Sequence, residues 1–214
     1  MVVAIDGMSA AGKSTLAFDL ARKFDLKYLN SGSIYRCIAL KIMNDELDIN
    51  DSKLKEKISI LDIDFKIIIN KQLVFLDKND VTDKIRLEEV SVFTPKIANN
   101  PIIKLAIREI QKRFVDMGNI VIEGRDIGTR IAPKADYKFY LYSTLEKRAE
   151  RLYNGVKDKQ DVTYDEIYTN LKNRDEKDIL DGNFIKPENA IEIDTTNLGL
   201  EEALEIMVSY IKEK

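Results

Sequence analysis

The sequence predicts an α/β fold in which a parallel sheet of about five strands carries helices on both faces. Short apolar runs rich in β-branched residues alternate along the chain with longer segments whose apolar residues recur every three or four positions. This alternation is typical of strand–helix–strand units, in which the strands lie parallel. A glycine-containing turn follows the first apolar run, and ligands of such folds bind at the carboxyl ends of the strands.

The strongest motif lies in that turn. The apolar run at residues 2–5 predicts the first strand, and Gly7, Gly12, Lys13 and Ser14 then match G-x-x-x-x-G-K-[ST], the phosphate-binding loop or P-loop. Apolar residues at four-residue spacing after the loop predict the helix that the motif requires. Because both flanking elements are present, we favour a genuine P-loop over a chance match to a Gly- and Ser-containing turn.

A P-loop surrounds phosphates with backbone N–H groups and with the positive end of the following helix. Lys13 is expected to reach the β- and γ-phosphates as a catalytic group, and the Ser14 hydroxyl is expected to bind Mg²⁺. The predicted ATP-binding segment consists of Gly7, Met8, Ser9, Ala10, Ala11, Gly12, Lys13, Ser14 and Thr15.

The composition excludes several classes of chemistry. The chain of 214 residues contains no histidine and one cysteine, Cys37, which excludes serine-hydrolase triads, histidine metal sites and an internal disulfide. The net charge of −3 gives no reason to expect a nucleic-acid partner, and no apolar run is long enough to span a membrane. Since no targeting segment is evident, we expect a cytoplasmic protein with one domain, or with a core and a small inserted lobe.

The second strand is predicted at residues 27–30, and Ser33 is expected to cap the helix that follows it. Arg36 would then lie in the first turn of that helix. A cation is unfavourable at a helix N-terminus, so this position is a hint that Arg36 has an anionic partner. A solvated or carboxylate-paired arginine remains the alternative.

An antiparallel module interrupts the α/β alternation. Residues 63–69 and 73–76 predict a β-hairpin with its turn at 70–72, and Val81-Thr82 would add a short third strand. Helical tendency follows over residues 85–100, with a break at Thr94-Pro95, where Thr94 would cap a new helix. The next helix is predicted from Pro101 to near Gly118. We expect the inserted module to cover one face of the active site.

A second element for Mg²⁺ is predicted where the strand at residues 120–122 ends in Glu123. An acidic residue at the end of a buried strand is common beside a P-loop, where it can act on the metal through water. Further strands are expected at 135–142 and 190–194, and helices at 146–153, from Thr163 to Arg174, and at 200–211. The charged stretch 148–181 is either a solvated excursion or a lid that closes over phosphates.

Three classes of P-loop protein compete at this point. The guanine-reading N-K-x-D motif of GTPases is absent from the sequence, and so is the signature of motor or transporter ATPases. A small-molecule kinase fits the length, the insert and the predicted lid. The residues themselves do not identify the phosphate acceptor.

Five ordered segments carry a resemblance to a known family: residues 7–15, 31–36 (SGSIYR), 123–129 (EGRDIGT), 174–178 (RDEKD) and 193–196 (IDTT). In these segments the chain resembles the bacterial cytidylate kinases, which belong to the P-loop nucleoside monophosphate kinases. The resemblance implies a P-loop NTPase-type three-layer sandwich with a small hairpin and helix lobe and a helical lid. It also implies transfer of the ATP γ-phosphoryl group to CMP or dCMP, with Mg²⁺, by a monomer.

The resemblance also assigns roles to residues. Lys13, Arg125 and Arg174 would be catalytic, and Ser14 would bind Mg²⁺, with Glu123 acting through water. The implied organisation is a single domain with a core at 1–44 and 101–214, an acceptor-binding insert at about 45–100 and a lid at about 148–181. The implied acceptor-binding residues are Ser31, Arg36, Lys104, Arg125, Asp126, Arg174 and Asp178.

Four positions depart from the family pattern, several of them at the acceptor site, whereas the ATP side is intact. Asn30 stands where the family commonly has Asp, and Thr94-Pro95 aligns with a base-reading serine. Lys104 aligns with an arginine and lacks its planar fork, and Asp181 aligns with a third phosphate-binding arginine. These departures leave open a P-loop protein with a different acceptor or weak turnover.

Overall fold

Helices and strands alternate along most of the chain in the computed structural model, which describes residues 1–68, 71–158, 161–182 and 184–212. The strands are β1 (Val2–Gly7), β2 (Lys27–Asn30), β3 (Ile63–Ile68), β4 (Lys71–Leu76), β5 (Asn79–Asp80), β6 (Ile120–Glu123), β7 (Tyr137–Tyr142) and β8 (Ile191–Asp194). The α-helices are α1 (Lys13–Lys23), α2 (Ser31–Asn44), α3 (Leu54–Ser59), α4 (Glu88–Ala98), α5 (Pro101–Asp116), α6 (Leu145–Val156), α7 (Tyr164–Leu180) and α8 (Leu200–Lys212). A 3₁₀ turn at Lys84–Arg86 and a π turn at Ile127–Ile131 complete the set.

The main sheet confirms the predicted fold class. Its five strands run in the order β2-β6-β1-β7-β8, and every neighbouring pair is parallel. Alternate residues of β1 face opposite sides: Val3 and Ile5 pack with α1 and α8, whereas Ala4 packs with α2 and α5. Burial of both faces explains why β1 and β6 are apolar throughout most of their length.

The inserted module is antiparallel, as predicted, with its strands in the order β3-β4-β5. Its buried residues belong to the same hydrophobic cluster as those of α2 and α5, so the module packs onto one face of the main sheet. The Gln72 amide nitrogen also donates to the Tyr28 carbonyl oxygen of β2, at 2.7 Å. Residues 69 and 70, part of the predicted hairpin, lie outside the described residues.

The predicted third strand at Val81-Thr82 is wrong by two residues. Asp77 and Lys78 have φ angles of 48° and 67°, which makes a two-residue hairpin turn and places β5 directly after it. Thr82 is buried instead, and its hydroxyl oxygen accepts a hydrogen bond from the Val74 N–H at 2.9 Å.

The start of α2 also differs from the prediction. The cap is Asn30, whose side-chain oxygen accepts from the Ser33 N–H at 3.0 Å, so Ser33 lies inside the helix. Arg36 is therefore the sixth helical residue, beyond the first turn, where the helix dipole acts most strongly. The dipole argument for an anionic partner of Arg36 does not apply.

The predicted break at Thr94-Pro95 is absent, because α4 continues through Pro95. Thr94 caps nothing, and its hydroxyl donates to the Val90 carbonyl at 2.7 Å. Pro95 removes one backbone hydrogen bond, but Val90 and Ile97 on either side of it are fully buried. Their packing holds the helix together across the proline.

Two other predicted helix starts are confirmed. The Asn100 side chain caps α5, with Pro101 in its first turn, and Thr163 forms a capping box with Glu166 at the start of α7. Among the helices of the described residues, none combines the length and the apolar character that crossing a membrane requires.

Candidate functional site

The predicted site segments meet at the carboxyl edge of the main sheet. Strands β2, β6 and β1 are neighbours, so the segments that follow them lie side by side. The P-loop follows β1, α2 follows β2, and the segment with Arg125 and Asp126 follows β6. Sheet order thus brings together residues that are far apart in the sequence.

The P-loop begins where its backbone packs closely against β7. Gly7 has a φ of 144°, and a Cβ atom there would lie 1.9 Å from the Leu141 carbonyl oxygen, so no other residue fits without a shift of the backbone. The loop ends at the N-terminus of α1, whose first-turn N–H groups have no partner within the helix. The Lys13 ammonium lies over the loop and donates to the Met8 carbonyl at 2.6 Å.

Lys13 is buried, and burial lowers its pKa to about 8, although the nearby Glu123 carboxylate opposes that shift. The negative charge near Lys13 is too small to offset the effect of burial on its ammonium group. Bound phosphates would supply further negative charge and would favour the protonated form. The arrangement fits a lysine that binds anions.

Ser14 and Glu123 form the candidate metal site. The Ser14 hydroxyl donates to Glu123 Oε1 at 2.9 Å, and the Glu123 side chain lies at the end of β6 with 5% of the residue exposed. Burial raises the pKa of Glu123. A hydroxyl and a carboxylate are hard oxygen ligands of the kind that Mg²⁺ takes together with phosphate and water, so this pair could hold Mg²⁺ directly or through water.

Arg125, Arg174 and Arg36 bring positive charge to the same edge. Burial is the main cause of a lowered pKa for each of them, and each also lies near a further arginine. The pKa of Arg125 falls to about 10, with Arg174 as the second cause. The positive charge of Arg36 lowers the pKa of Arg174, and the positive charge of Arg86 lowers the pKa of Arg36. Like charges held this close indicate a site for an anion.

Arg125 has contacts on two sides. Its Nη2 donates to the Ser9 hydroxyl of the P-loop at 2.8 Å, its Nη1 forms an ion pair with Asp178 of α7, and its guanidinium lies 5.4 Å from the centre of the Phe184 ring. The structure therefore joins the P-loop, the segment after β6 and α7 at this residue.

The other sequence-predicted acceptor residues differ in how far they enter the site. Ser31 is 8% exposed, and its hydroxyl donates to the Glu123 carbonyl at 2.7 Å. Asp126 faces Arg108 and Arg130. Lys104 is half-buried on α5, and its contact with the acceptor stays a prediction. Asp178 contacts Arg125, and its contact with a ribose hydroxyl stays a prediction.

Sequence analysis missed two arginines on Asp126. Arg108 Nη2 lies 3.7 Å from Asp126 Oδ2, and Arg130 Nη1 lies 3.4 Å from the same oxygen. A signal was present, because Arg108 follows Lys104 by four residues and Arg130 follows Asp126 by four, the spacing that puts side chains on one helical face.

Asp6 was also missed, although it precedes the P-loop directly. Its two carboxylate oxygens accept from the Ile127 and Gly128 N–H groups, both at 2.7 Å. Burial raises the pKa of Asp6 to about 6. These bonds tie β1 to the turn that carries Arg125 and Asp126.

A buried ion pair connects the predicted lid to the P-loop. Arg148 of α6 donates to Asp175 of α7 at 2.6 Å, to the Ser9 carbonyl at 3.2 Å and to the Ser143 carbonyl at 3.0 Å. The side chains of Arg148 and Asp175 are only 4% and 12% exposed. These two charges are therefore not part of a solvated excursion, and no local pattern pointed to them because they are 27 residues apart.

Comparison with known proteins agrees with this geometry. The family model described as cytidylate kinase matches residues 3–213. A cytidylate kinase of Clostridioides difficile is 35% identical over 220 residues, covering 99% of this chain and 98% of the relative. The cytidylate kinase of Shewanella loihica is 37% identical, covering 100% and 95%, and that of Caldicellulosiruptor saccharolyticus is 36% identical, covering 95% and 92%.

Solved structures are similar in fold alone. An uncharacterised protein from Eubacterium ventriosum has a TM-score of 0.55 at 12% identity, covering 100% of this chain and 99% of that one. The shikimate kinase of Bacteroides thetaiotaomicron has a TM-score of 0.50 at 11% identity, covering 99% and 98%. These likenesses show a shared fold, and the sequence match over nearly the whole chain shows the family: the chain belongs to the cytidylate kinase family.

Proposed function

We propose that this chain transfers the γ-phosphoryl group of ATP to CMP or dCMP, giving ADP and the corresponding diphosphate, with Mg²⁺ as its cofactor. Family membership over nearly the whole chain supports this reaction. One observation in the structure carries the proposal: Arg125 and Arg174 lie near Lys13, and Arg36 lies near Arg174. Burial lowers the pKa of all four groups, and a neighbouring arginine lowers the pKa of each arginine further.

The cluster suits the chemistry of joining two phosphates. ATP and a nucleoside monophosphate repel each other strongly, and fixed guanidinium groups offset this repulsion while they align the acceptor oxygen with the γ-phosphorus. The charge that develops on the transferred group can be held by Lys13, Arg125 and Arg174. Because such a transfer depends mainly on positioning and charge, a chain without histidine can catalyse it.

Mg²⁺ would bind at Ser14, with Glu123 acting directly or through a water molecule. When bound, the ion would supply positive charge that offsets the negative charge of the ATP phosphates. The chain's own part is to hold the Ser14 hydroxyl and the Glu123 carboxylate within 2.9 Å of each other. The remaining P-loop residues, from Gly7 to Thr15, would bind the ATP phosphates with backbone N–H groups.

The acceptor would lie between α2, α5 and the segment after β6. Arg36, Arg125 and Arg174 would bind its phosphate, and Arg86, which lies near Arg36, joins them in this proposal. The nucleoside would be bound by Ser31, Lys104, Asp126 and Asp178, with Arg108 added because of its contact with Asp126.

We further propose that residues 45–100 act as the acceptor-binding insert and residues 148–181 as a lid on the core formed by 1–44 and 101–214. We also propose a monomer as the working unit, as the resemblance to the family implies. Small nucleotides as substrates fit a protein that works in the cytoplasm.

Release of ADP, followed with an enzyme-coupled assay, tests the proposal. The protein is given Mg²⁺ and ATP with CMP, dCMP, UMP, AMP, GMP or shikimate as acceptor. CMP and dCMP should be clearly the best acceptors. If no pyrimidine monophosphate stimulates the release of ADP, the proposal is overturned. Lys13→Ala should abolish turnover with an unchanged circular dichroism spectrum, whereas Lys23→Ala, at the exposed end of the same helix, should leave turnover unchanged.

A further inference from the structure

Asn30 lies between the part of the site proposed for ATP and Mg²⁺, called the donor half here, and the part proposed for CMP or dCMP, called the acceptor half. It is the last residue of β2 and lies opposite Glu123, the last residue of β6, in the parallel register. Its side-chain amide has a donor end and an acceptor end. The amide nitrogen contacts groups of the ATP and Mg²⁺ half, and the amide oxygen contacts the helix of the CMP half.

The nitrogen end faces the candidate metal site. Asn30 Nδ2 donates to Glu123 Oε1 and lies 3.3 Å from the Ser14 hydroxyl oxygen. The Ser14 hydroxyl donates to that same carboxylate oxygen. The amide nitrogen therefore completes a triangle with the two groups that would hold Mg²⁺.

The oxygen end faces the acceptor side. Asn30 Oδ1 accepts from the Ser33 N–H at 3.0 Å and caps α2, the helix that carries Ser31 and Arg36. The network fixes which end is which, because a backbone N–H can only donate and an ionised carboxylate can only accept. A reversed amide would place like groups together at both ends.

We propose that Asn30 is a positioning residue that links the metal site of the donor half to the helix of the acceptor half. This inference rests on the proposed function and adds a role to a residue outside the P-loop and outside the arginine cluster. The nitrogen fixes Glu123 and Ser14 for the metal, and the oxygen fixes the start of α2. One rigid amide thus sets the spacing between the two halves.

An amide has a consequence here that a carboxylate would not have. Aspartate at position 30 could still cap α2, but its second oxygen would face the Glu123 carboxylate, and two like charges this close repel strongly unless a cation lies between them. With Asn30, the Glu123 carboxylate receives a hydrogen bond from the protein itself. The metal site is therefore arranged by the chain before any cation binds.

Three substitutions separate the two ends. Asn30→Ser keeps an oxygen that can cap α2 but lacks the amide nitrogen. The measured quantity is the Mg²⁺ concentration that gives half of the maximal thermal stabilisation by ADP. We expect Asn30→Ser to raise this concentration about 10-fold, the usual loss when a residue that supports a metal ligand is removed. The KM for CMP should stay within about twofold of the wild type, because the cap is retained. Asn30→Ala removes both ends and should raise both quantities.

Asn30→Asp tests the charge argument separately. In EDTA its melting temperature should lie below that of the wild type, and Mg²⁺ with ADP should restore it. Asn44→Ser, at the exposed last residue of α2, serves as the matched control.

Equal Mg²⁺ midpoints for Asn30→Ser and Asn44→Ser would overturn the inference, and so would an unchanged KM for CMP in Asn30→Ala. If ADP did not stabilise the wild type in a Mg²⁺-dependent way, the proposed donor site would itself be wrong. The thermal measurements need no turnover, so the two failures can be told apart.

Discussion

Replacing Arg148 with Met should destabilise the fold far more than replacing an exposed cation on the same helix. The side chain of Arg148 is 4% exposed, and that of its partner Asp175 is 12% exposed. The substitution leaves the Asp175 carboxylate buried without its cation, and it leaves the Ser9 and Ser143 carbonyls without their guanidinium donor. Removing one partner of a buried ion pair costs about 3–5 kcal/mol, a large share of the roughly 5–15 kcal/mol by which a typical domain is stable.

Urea unfolding followed by circular dichroism measures this loss, with Lys147→Met as the matched control. Lys147 precedes Arg148 in α6 and pairs with Glu150, but these side chains are 38% and 51% exposed, so the control should cost about 1 kcal/mol or less. The double variant Arg148→Met with Asp175→Leu should recover much of the loss, since apolar residues can replace a buried pair. A cost below about 1 kcal/mol for Arg148→Met, or a double variant no better than the single one, would refute the reasoning.

Three other predictions follow from the site. Arg125→Met should lower kcat about 10³-fold, as loss of an arginine on the transferred phosphate does, and Lys104→Met should cost far less; the reverse ordering in steady-state kinetics would contradict the site assignment. Since the pKa of Lys13 is lowered to about 8, the free protein loses this charge as the pH rises through 8, so calorimetry should show weaker ADP binding at pH 9 than at pH 7 and proton uptake near pH 8. A pH-independent affinity would exclude that role for the ammonium. Burial raises the pKa of Asp6 from 3.8 to about 6, so its stabilising contribution is complete below pH 3.8 and is lost as the pH rises through 6. The free energy of unfolding should fall by about 3 kcal/mol over that window in the wild type and stay flatter in Asp6→Asn; equal pH slopes in urea titrations would count against the assignment.

The sequence was most informative where the structure depends on neighbouring residues. The P-loop, the Thr163 capping box and the cap on α5 each lie within a few consecutive positions, so local chemistry alone specifies them. The parallel sheet and the inserted hairpin were also predicted, because their apolar periodicity is strong. The roles of the site residues toward nucleotide stay predictions.

The errors have physical causes that lie outside the local pattern. Ser33 and Asn30 are both good capping residues, and the pairing of Asn30 with Glu123 across the sheet decides between them. Pro95 is a helix breaker in isolation, but the burial of Val90 and Ile97 overrides it. Tertiary packing settled both positions.

The ion pair of Arg148 and Asp175 is a contact that sequence patterns did not predict. Charge runs are usually solvated, and nothing in the sequence near either residue distinguishes it from its charged neighbours. Only the contact between α6 and α7 on one side and the P-loop on the other places these two charges inside the protein. A pattern along one element cannot reveal a partner on another.

The order of strands in the main sheet has a consequence for folding. Strand β6 lies between β1 and β2, although the metal-site contact it provides, between Ser14 and Glu123, spans 109 positions of sequence. Until β6 has been synthesised and has inserted, β1 and β2 each present an open edge that invites aggregation, and loop-closure entropy slows such distant parallel pairing. Insertion of β6 is the step that brings Glu123 to Ser14, so recovery of Mg²⁺-dependent ADP binding during refolding should report the pairing of this strand with β1 and β2.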